Sequence, residues 1–245
     1  MISRSFRSFL FVIAVLMTMS AAEAEDISPR QMTKLLGLSA AFSDCVVVRQ
    51  RDRAMAMVIA APDNKSIMRT YSRLIDSECM GEVTRDEEQS GIRFSGDTFM
   101  YSMAAALAKS EFGEAGPRSF GDRAPLDHRK PVALDETKLS KLSKQRRAEM
   151  LGDLENAKNW YMLSVLGECG ARSEPESVRK IALTSPGSIE EKTSLKSIVP
   201  TLGNCLPPET ALTFKPWQLR GALLVNYVRL ASAPQVTHQA AETAK

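Results

Sequence analysis

The sequence predicts an all-α protein of two similar four-helix units, each pinned by one disulfide and joined by a Gly/Pro linker. Three observations carry that prediction. Aromatics make up only 6% of the chain, while Ala, Leu, Met, Lys, Arg and Glu, the strong helix formers, abound. Apolar residues recur at three and four positions in segment after segment, the spacing of one helix face. Four cysteines fall in two pairs of nearly equal spacing, Cys45 to Cys79 (34 positions) and Cys169 to Cys205 (36 positions).

Residues 1–24 read as a secretory signal. Arg4 and Arg7 supply the positive start, residues 9–17 an apolar run of nine, and Ala22-Glu23-Ala24 a small-x-small cleavage site after Ala24. The run is well short of the roughly 20 apolar residues of a membrane span. The expected location is therefore periplasmic or secreted.

Unit one covers residues 25–112. Ser28 and Pro29 open a first helix whose apolar face is Met32, Leu35, Leu36, Leu38 and Phe42, leading into Cys45. A second helix is predicted over 51–61, stopped by Pro62. Asp63 or Asn64 caps a third, carried by Ile67, Met68, Tyr71, Leu74 and Ile75 to Cys79. Residues 81–91 are polar and acidic and read as a loop, and Ser95 or Asp97 then caps an apolar fourth helix over 99–108.

Residues 113–134 hold Gly113, Gly116, Pro117, Gly121, Pro125 and Pro131 and read as a linker. Unit two covers 135–233. A long helix is expected from Asp135 to Leu166, with Met150, Leu151, Leu154, Ala157, Tyr161 and Val165 on its apolar face. Ser173 and Pro175 start a short helix, with Glu176 placed for a capping box; Ser188 and Glu191 repeat that pattern for the next. A turn over 201–208 surrounds Cys205, a last helix covers 216–230, and 234–245 form a polar, flexible tail. The fourth helix of each unit is so apolar that it is expected at the centre.

An exported chain with an even number of cysteines forms disulfides most simply, and four cysteines allow three pairings. The matched spacings select Cys45–Cys79 and Cys169–Cys205. The surroundings match too: Pro62 and Pro186 each lie 17 positions past the first cysteine of a pair. These features predict a duplication, with all four cysteines structural.

The formal charge of +3 names no nucleic-acid partner, and removing residues 1–24 leaves 30 basic and 28 acidic residues. The sequence lacks the nucleotide-binding glycine loops, the nucleophile elbow and the His-Glu-x-x-His metal motif. Its two histidines, His128 in the linker and His238 in the tail, are expected in solvent, where neither could serve a Ser-His or Cys-His site. The carboxylates Asp86, Glu87 and Glu88, and the pair Glu190 and Glu191, are expected to be solvated or to complement a helix N-terminus. No cofactor or metal is predicted. Lys138, Lys141, Lys144, Arg146 and Arg147 place five positive residues within ten and could contact an anionic partner.

Cys169, Pro175 and Glu176, followed by Thr184-Ser185-Pro186-Gly187-Ser188 and by Cys205-Leu206-Pro207, resemble a pattern of uncharacterised exported bacterial proteins. In that pattern a cysteine-containing helical unit occurs twice. The likeness is clearest in unit two; in unit one Cys79 is followed by Met80-Gly81 and no Pro-Glu pair opens the second helix. The resemblance implies a fold and an address, and no activity. The expected function is that of a non-enzymatic exported binding or scaffolding protein, its partner an envelope protein or an anionic surface. The alternatives are a carboxylate- or thiol-based envelope enzyme, or a membrane-surface protein acting through residues 138–147.

Overall fold

The computed structural model describes residues 28–85, 95–206 and 214–235. The leader at 1–24, the cluster Asp86, Glu87 and Glu88, Pro207, and His238 in the tail lie outside them. The described residues are helical throughout, apart from loops and one isolated bridge between Arg123 and Gln235. In chain order the helices are α1 (Pro29–Ala60), α2 (Asn64–Thr70), a 3₁₀ turn (Ser72–Leu74), α3 (Ser77–Thr84), α4 (Gly96–Phe112), α5 (Glu136–Ser140), α6 (Lys144–Ser173), α7 (Pro175–Ala182), α8 (Ile189–Gly203) and α9 (Pro216–Ser232).

Most starts follow the capping chemistry. Ser28 and Gln31 form a reciprocal capping box ahead of Pro29. Ser95 accepts from Thr98 N–H at α4, and Ser188 from Glu191 N–H at α8. Several boundaries differ from the sequence expectation; α3, for one, continues through Thr84, four residues into the loop expected over 81–91. The two helices expected over 29–45 and 51–61 are one, kinked at Gln50 (φ −136°, ψ 40°). The single helix expected over 64–79 is broken, because Asp76 accepts from the N–H groups of Glu78 and Cys79 and so starts α3 afresh. The helix expected from Asp135 is cut after Ser140; Ser143 takes the Arg146 N–H and starts α6. That helix then runs on to Ser173, so Ser173 cannot cap α7, Glu174 takes the N-cap position, and the box with Glu176 does not form. α8 also carries through Pro200 to Gly203. Pro200 and Lys196 are both exposed, so water can serve the carbonyl that proline cannot.

The apolar α4 and α9 lie at the centre, packed against each other; α1 packs on α4, and α6 on α9. α9 is buried at every residue from Leu219 to Leu230. One continuous apolar core runs from Phe42 and Val46 of α1 through Phe99 and Met103 of α4 to Leu223 and Tyr227 of α9. Two glycines set these crossings. A Cβ on Gly221 would lie 2.1 Å from the Tyr101 ring, and one on Gly167 would lie 2.4 Å from the Ala222 carbonyl oxygen. Neither approach admits a side chain.

Both disulfides have the expected pairing. Cys45 on α1 bonds Cys79 on α3, with Cα atoms 5.7 Å apart; Cys169 on α6 bonds Cys205, just past α8, with Cα atoms 5.9 Å apart. Closing a loop of this length stabilises the fold by about 4 kcal/mol in the chain-entropy account.

The segment 113–134 is extended and lies over α6 and α9. Its Phe120 is fully buried, 5.3 Å from the Tyr227 ring. Its backbone is held from beneath by side chains. Arg172 donates to the carbonyls of Phe120, Arg123 and Ala124, Arg229 to Asp127, Arg179 to Gly113 and Tyr227 to Pro117.

Candidate functional site

The five basic residues predicted to meet an anionic partner are all exposed, at the junction of α5 and α6. They do not form a uniform patch. Lys138 lies 3.8 Å from Asp135, Arg146 pairs with Glu149 at 3.0 Å, and Arg147 Nε donates to the Leu139 carbonyl. Lys141 caps the end of α5 and Lys144 opens α6. Positive charge at that helix N-terminus opposes the helix dipole, so folding does not require it there. Glu190 and Glu191 lie in the first turn of α8, the favourable end for carboxylates. Glu191 is nevertheless not solvated: it is buried and paired with Arg220.

His128 departs from its expected place in solvent. Its side chain turns inward from the extended segment and is 11% exposed, with Nδ1 2.7 Å from Ser164 Oγ and Nε2 2.5 Å from Glu168 Oε2. Ser, His and Glu in that order resemble the chain of a hydrolase, and the surroundings decide against that chemistry. The cleft beside Ser164, between Trp160 and Asn226, has no room for a water molecule. Glu168 is also engaged by Arg172 Nε at 2.7 Å and by the Leu126 N–H. Burial works against the Glu168 carboxylate, but bonds from His128, Leu126 and Arg172 outweigh it and hold the pKa at about 2. The cluster therefore fastens residues 126–128 to α6. A sequence signal for it existed: Ser164, Glu168 and Arg172 recur every four residues, a polar stripe on a helix whose neighbouring positions are apolar.

The feature best suited to function is a groove of about 620 Å³ between the first half of α1, α4, the start of α9 and the loop before α8. Its size is that of a small-molecule site. Met32, Leu35, Leu36, Ala105, Leu183 and Trp217 are among its apolar walls. Leu35 and Leu183 remain 41% and 53% exposed, a cost the fold leaves uncompensated. Tyr101 crosses the floor, where Trp217 and Trp160 flank its ring at 6.0 and 6.3 Å. Burial, with help from Asp97, raises the Tyr101 pKa and keeps the phenol neutral. Burial likewise raises Asp97, against the bond it accepts from Trp160 Nε1 at 2.6 Å.

Two ion pairs lie in the groove's polar lining. Lys109 meets Asp44 at 2.9 Å, half exposed. Arg220 Nε meets Glu191 at 2.8 Å, with side chains only 9% and 5% exposed. Burial draws the Arg220 pKa down, against the attraction of Glu191 and Asp44. Arg220 Nη2 also bonds the carbonyls of Ile181 and Thr184, so the pair holds the loop that forms one wall. The two hydroxyls nearest a nucleophile's role, Ser39 and Ser102, bond each other at 2.5 Å. No histidine or cysteine lines the groove, and its carboxylates, Asp44 and Glu191, are held by Lys109 and Arg220.

No family model matches this chain, and no curated protein or solved structure is significantly similar to it. Among the described residues no helix is long and apolar enough to cross a membrane, and no group of three or more His, Cys, Asp or Glu side chains could hold a metal ion.

Proposed function

We propose that the protein is exported and acts outside the cytoplasm as a non-enzymatic binding protein, taking a small, apolar-bodied ligand in the groove between α1, α4 and α9. The observation that carries this reading is the groove itself: an open, apolar-walled space of about 620 Å³ beside a continuous apolar core. Export is supported by the signal-like residues 1–24 and by two disulfides, which persist in oxidising compartments. A duplicated ancestry is supported by the cysteine spacing and by the order of helices around each bridge.

Peptide mapping of the mature protein without reduction tests the address: an N-terminus at Glu25 with both bridges supports export, and a retained leader opposes it. Titration with 1-anilinonaphthalene-8-sulfonate tests the groove. Wild type should bind and enhance the dye's fluorescence, and Ala105→Phe, which fills the groove, should abolish the effect. Dye binding that Ala105→Phe leaves unchanged would count against the groove.

A second reading places an anionic partner on residues 138–147. It is favoured by Lys141 and Lys144, which are exposed and have no acid within ion-pair distance among the described residues. Salt-sensitive binding to phosphatidylglycerol vesicles, lost on Lys141→Ala with Lys144→Ala, would support it.

A further inference from the structure

The ligand's chemistry follows from an inventory of the groove's polar groups, and this inference rests on the groove being a binding site. Among fixed acceptors, Asp44 is engaged by Lys109, and Glu191 by Arg220 and the Gly187 N–H. Ser102 donates to the Thr98 carbonyl at 2.7 Å and pairs with Ser39, while Thr33 and Thr184 donate to carbonyls of their own turns. What remains is donor-rich. The Lys215 ammonium has no carboxylate or other acceptor among the described residues. The Trp217 indole N–H has no hydrogen-bond partner and no exposed surface, a costly state for a donor that a head group relieves once the ring turns toward the groove. Only the Tyr101 and Ser185 hydroxyls could serve either way.

The charges point in the same direction. Lys109, Lys215 and Arg220 face Asp44 and Glu191, three cations against two anions. Two of the cations are neutralised at contact distance, which leaves Lys215. It stands at the start of α9, a helix of 17 residues whose positive end adds to the same field.

We infer that the groove binds a monoanionic amphiphile, an aliphatic carboxylate in its simplest form. Its head lies at Lys215 and the Trp217 indole N–H, and its tail lies against Met32, Leu36 and Ala105. A cation would meet unshielded Lys215 and offer nothing to the indole N–H. A neutral head would satisfy the N–H and leave the charge unmatched.

The test is calorimetric titration of the mature protein with three probes of one chain length below their micellar concentrations: decanoate, decyltrimethylammonium and decyl maltoside. Decanoate should bind at least about tenfold more tightly than either of the others, less so at high salt. Lys215→Ala and Trp217→Phe should each weaken decanoate about five- to tenfold and leave decyl maltoside unchanged. Ala105→Phe should abolish binding of every probe. Gly37→Phe should act in the same direction, and it is the safer variant because a Cβ at Gly37 meets no atom within 4 Å. Equal binding of the three probes, indifferent to Lys215→Ala, overturns the anionic assignment and leaves the groove standing. No binding of any probe, or binding that survives both Phe substitutions, overturns the groove and this inference with it.

Discussion

The α1–α4 half and the α6–α9 half use one order of parts and differ in how they are closed. In each, a long helix carries the first cysteine. Five residues past it the backbone leaves the helical region, at Gln50 (φ −136°, ψ 40°) and at Glu174 (φ −134°, ψ 54°). In each, the side chain at that break reaches the stretch before the second cysteine: Gln50 Nε2 donates to Asp76 Oδ2 at 3.1 Å, and Glu174 Oε1 accepts from Thr201 at 3.3 Å. Each half ends in an apolar helix packed on its own long helix and on its counterpart. The differences come from single residues. Arg51 follows Gln50 and α1 resumes its course, whereas Pro175 follows Glu174 and a separate helix begins. The second half is roofed by residues 113–129; in the first, Leu35 stays 41% exposed along the groove. The groove itself lies between the halves, with Leu183 of the second 53% exposed along it as well, and it is there that binding is expected.

The sharpest way to break the comparison is to remove the bridges singly. Cys45→Ala with Cys79→Ala, and Cys169→Ala with Cys205→Ala, should each cost about 4 kcal/mol, because the loops differ by only two residues. Urea melts that differ by more than about 2 kcal/mol would show that the halves are not energetically alike.

Arg172→Met should come next, at about 3 kcal/mol, since it takes the cation from Glu168 and the donor from three carbonyls at once. Hydrogen exchange should rise in residues 120–128 and stay unchanged in α1.

Acid should affect the same face. The Glu168 pKa, about 2, lies below the ordinary value of 4.5, so its contribution is complete above about pH 4.5 and is lost as pH falls through about 2. Thermal melts from pH 5 to pH 2 should show that loss, and Glu168→Gln should flatten it.

The smallest effect tests the shared break. Arg51→Pro should cost only about 1 kcal/mol more than Arg51→Ala, a control that already removes the Glu111 pair. Met55→Pro, inside the same helix, should cost about 3 kcal/mol or more. Equal costs at the two sites would mean that the Gln50 break does not match the one at Glu174.

The sequence made the helices, their principal caps and both cysteine pairs legible, because periodicity, capping and spacing act over short stretches. It hid the break at Asp76, where Tyr71, Leu74 and Ile75 continue the apolar period of α2 and local capping outcompetes it. It hid His128, whose place depends on Ser164 and Glu168, 36 and 40 positions away. The groove was illegible for the same reason: Met32, Ala105 and Trp217 come together only after α1, α4 and α9 have packed.

The arginines beneath residues 113–127 grip carbonyl oxygens, which every amino acid carries. Apart from Phe120, Arg123, Leu126 and His128, whose side chains are themselves anchored, the roof is therefore read by its path. Sequence there is free to drift: Arg118 and Asp122, for instance, can change with little consequence. A one-residue deletion, by contrast, would put every carbonyl out of step with its donor. Tolerance of substitution combined with intolerance of length change is the mutational signature this segment should carry.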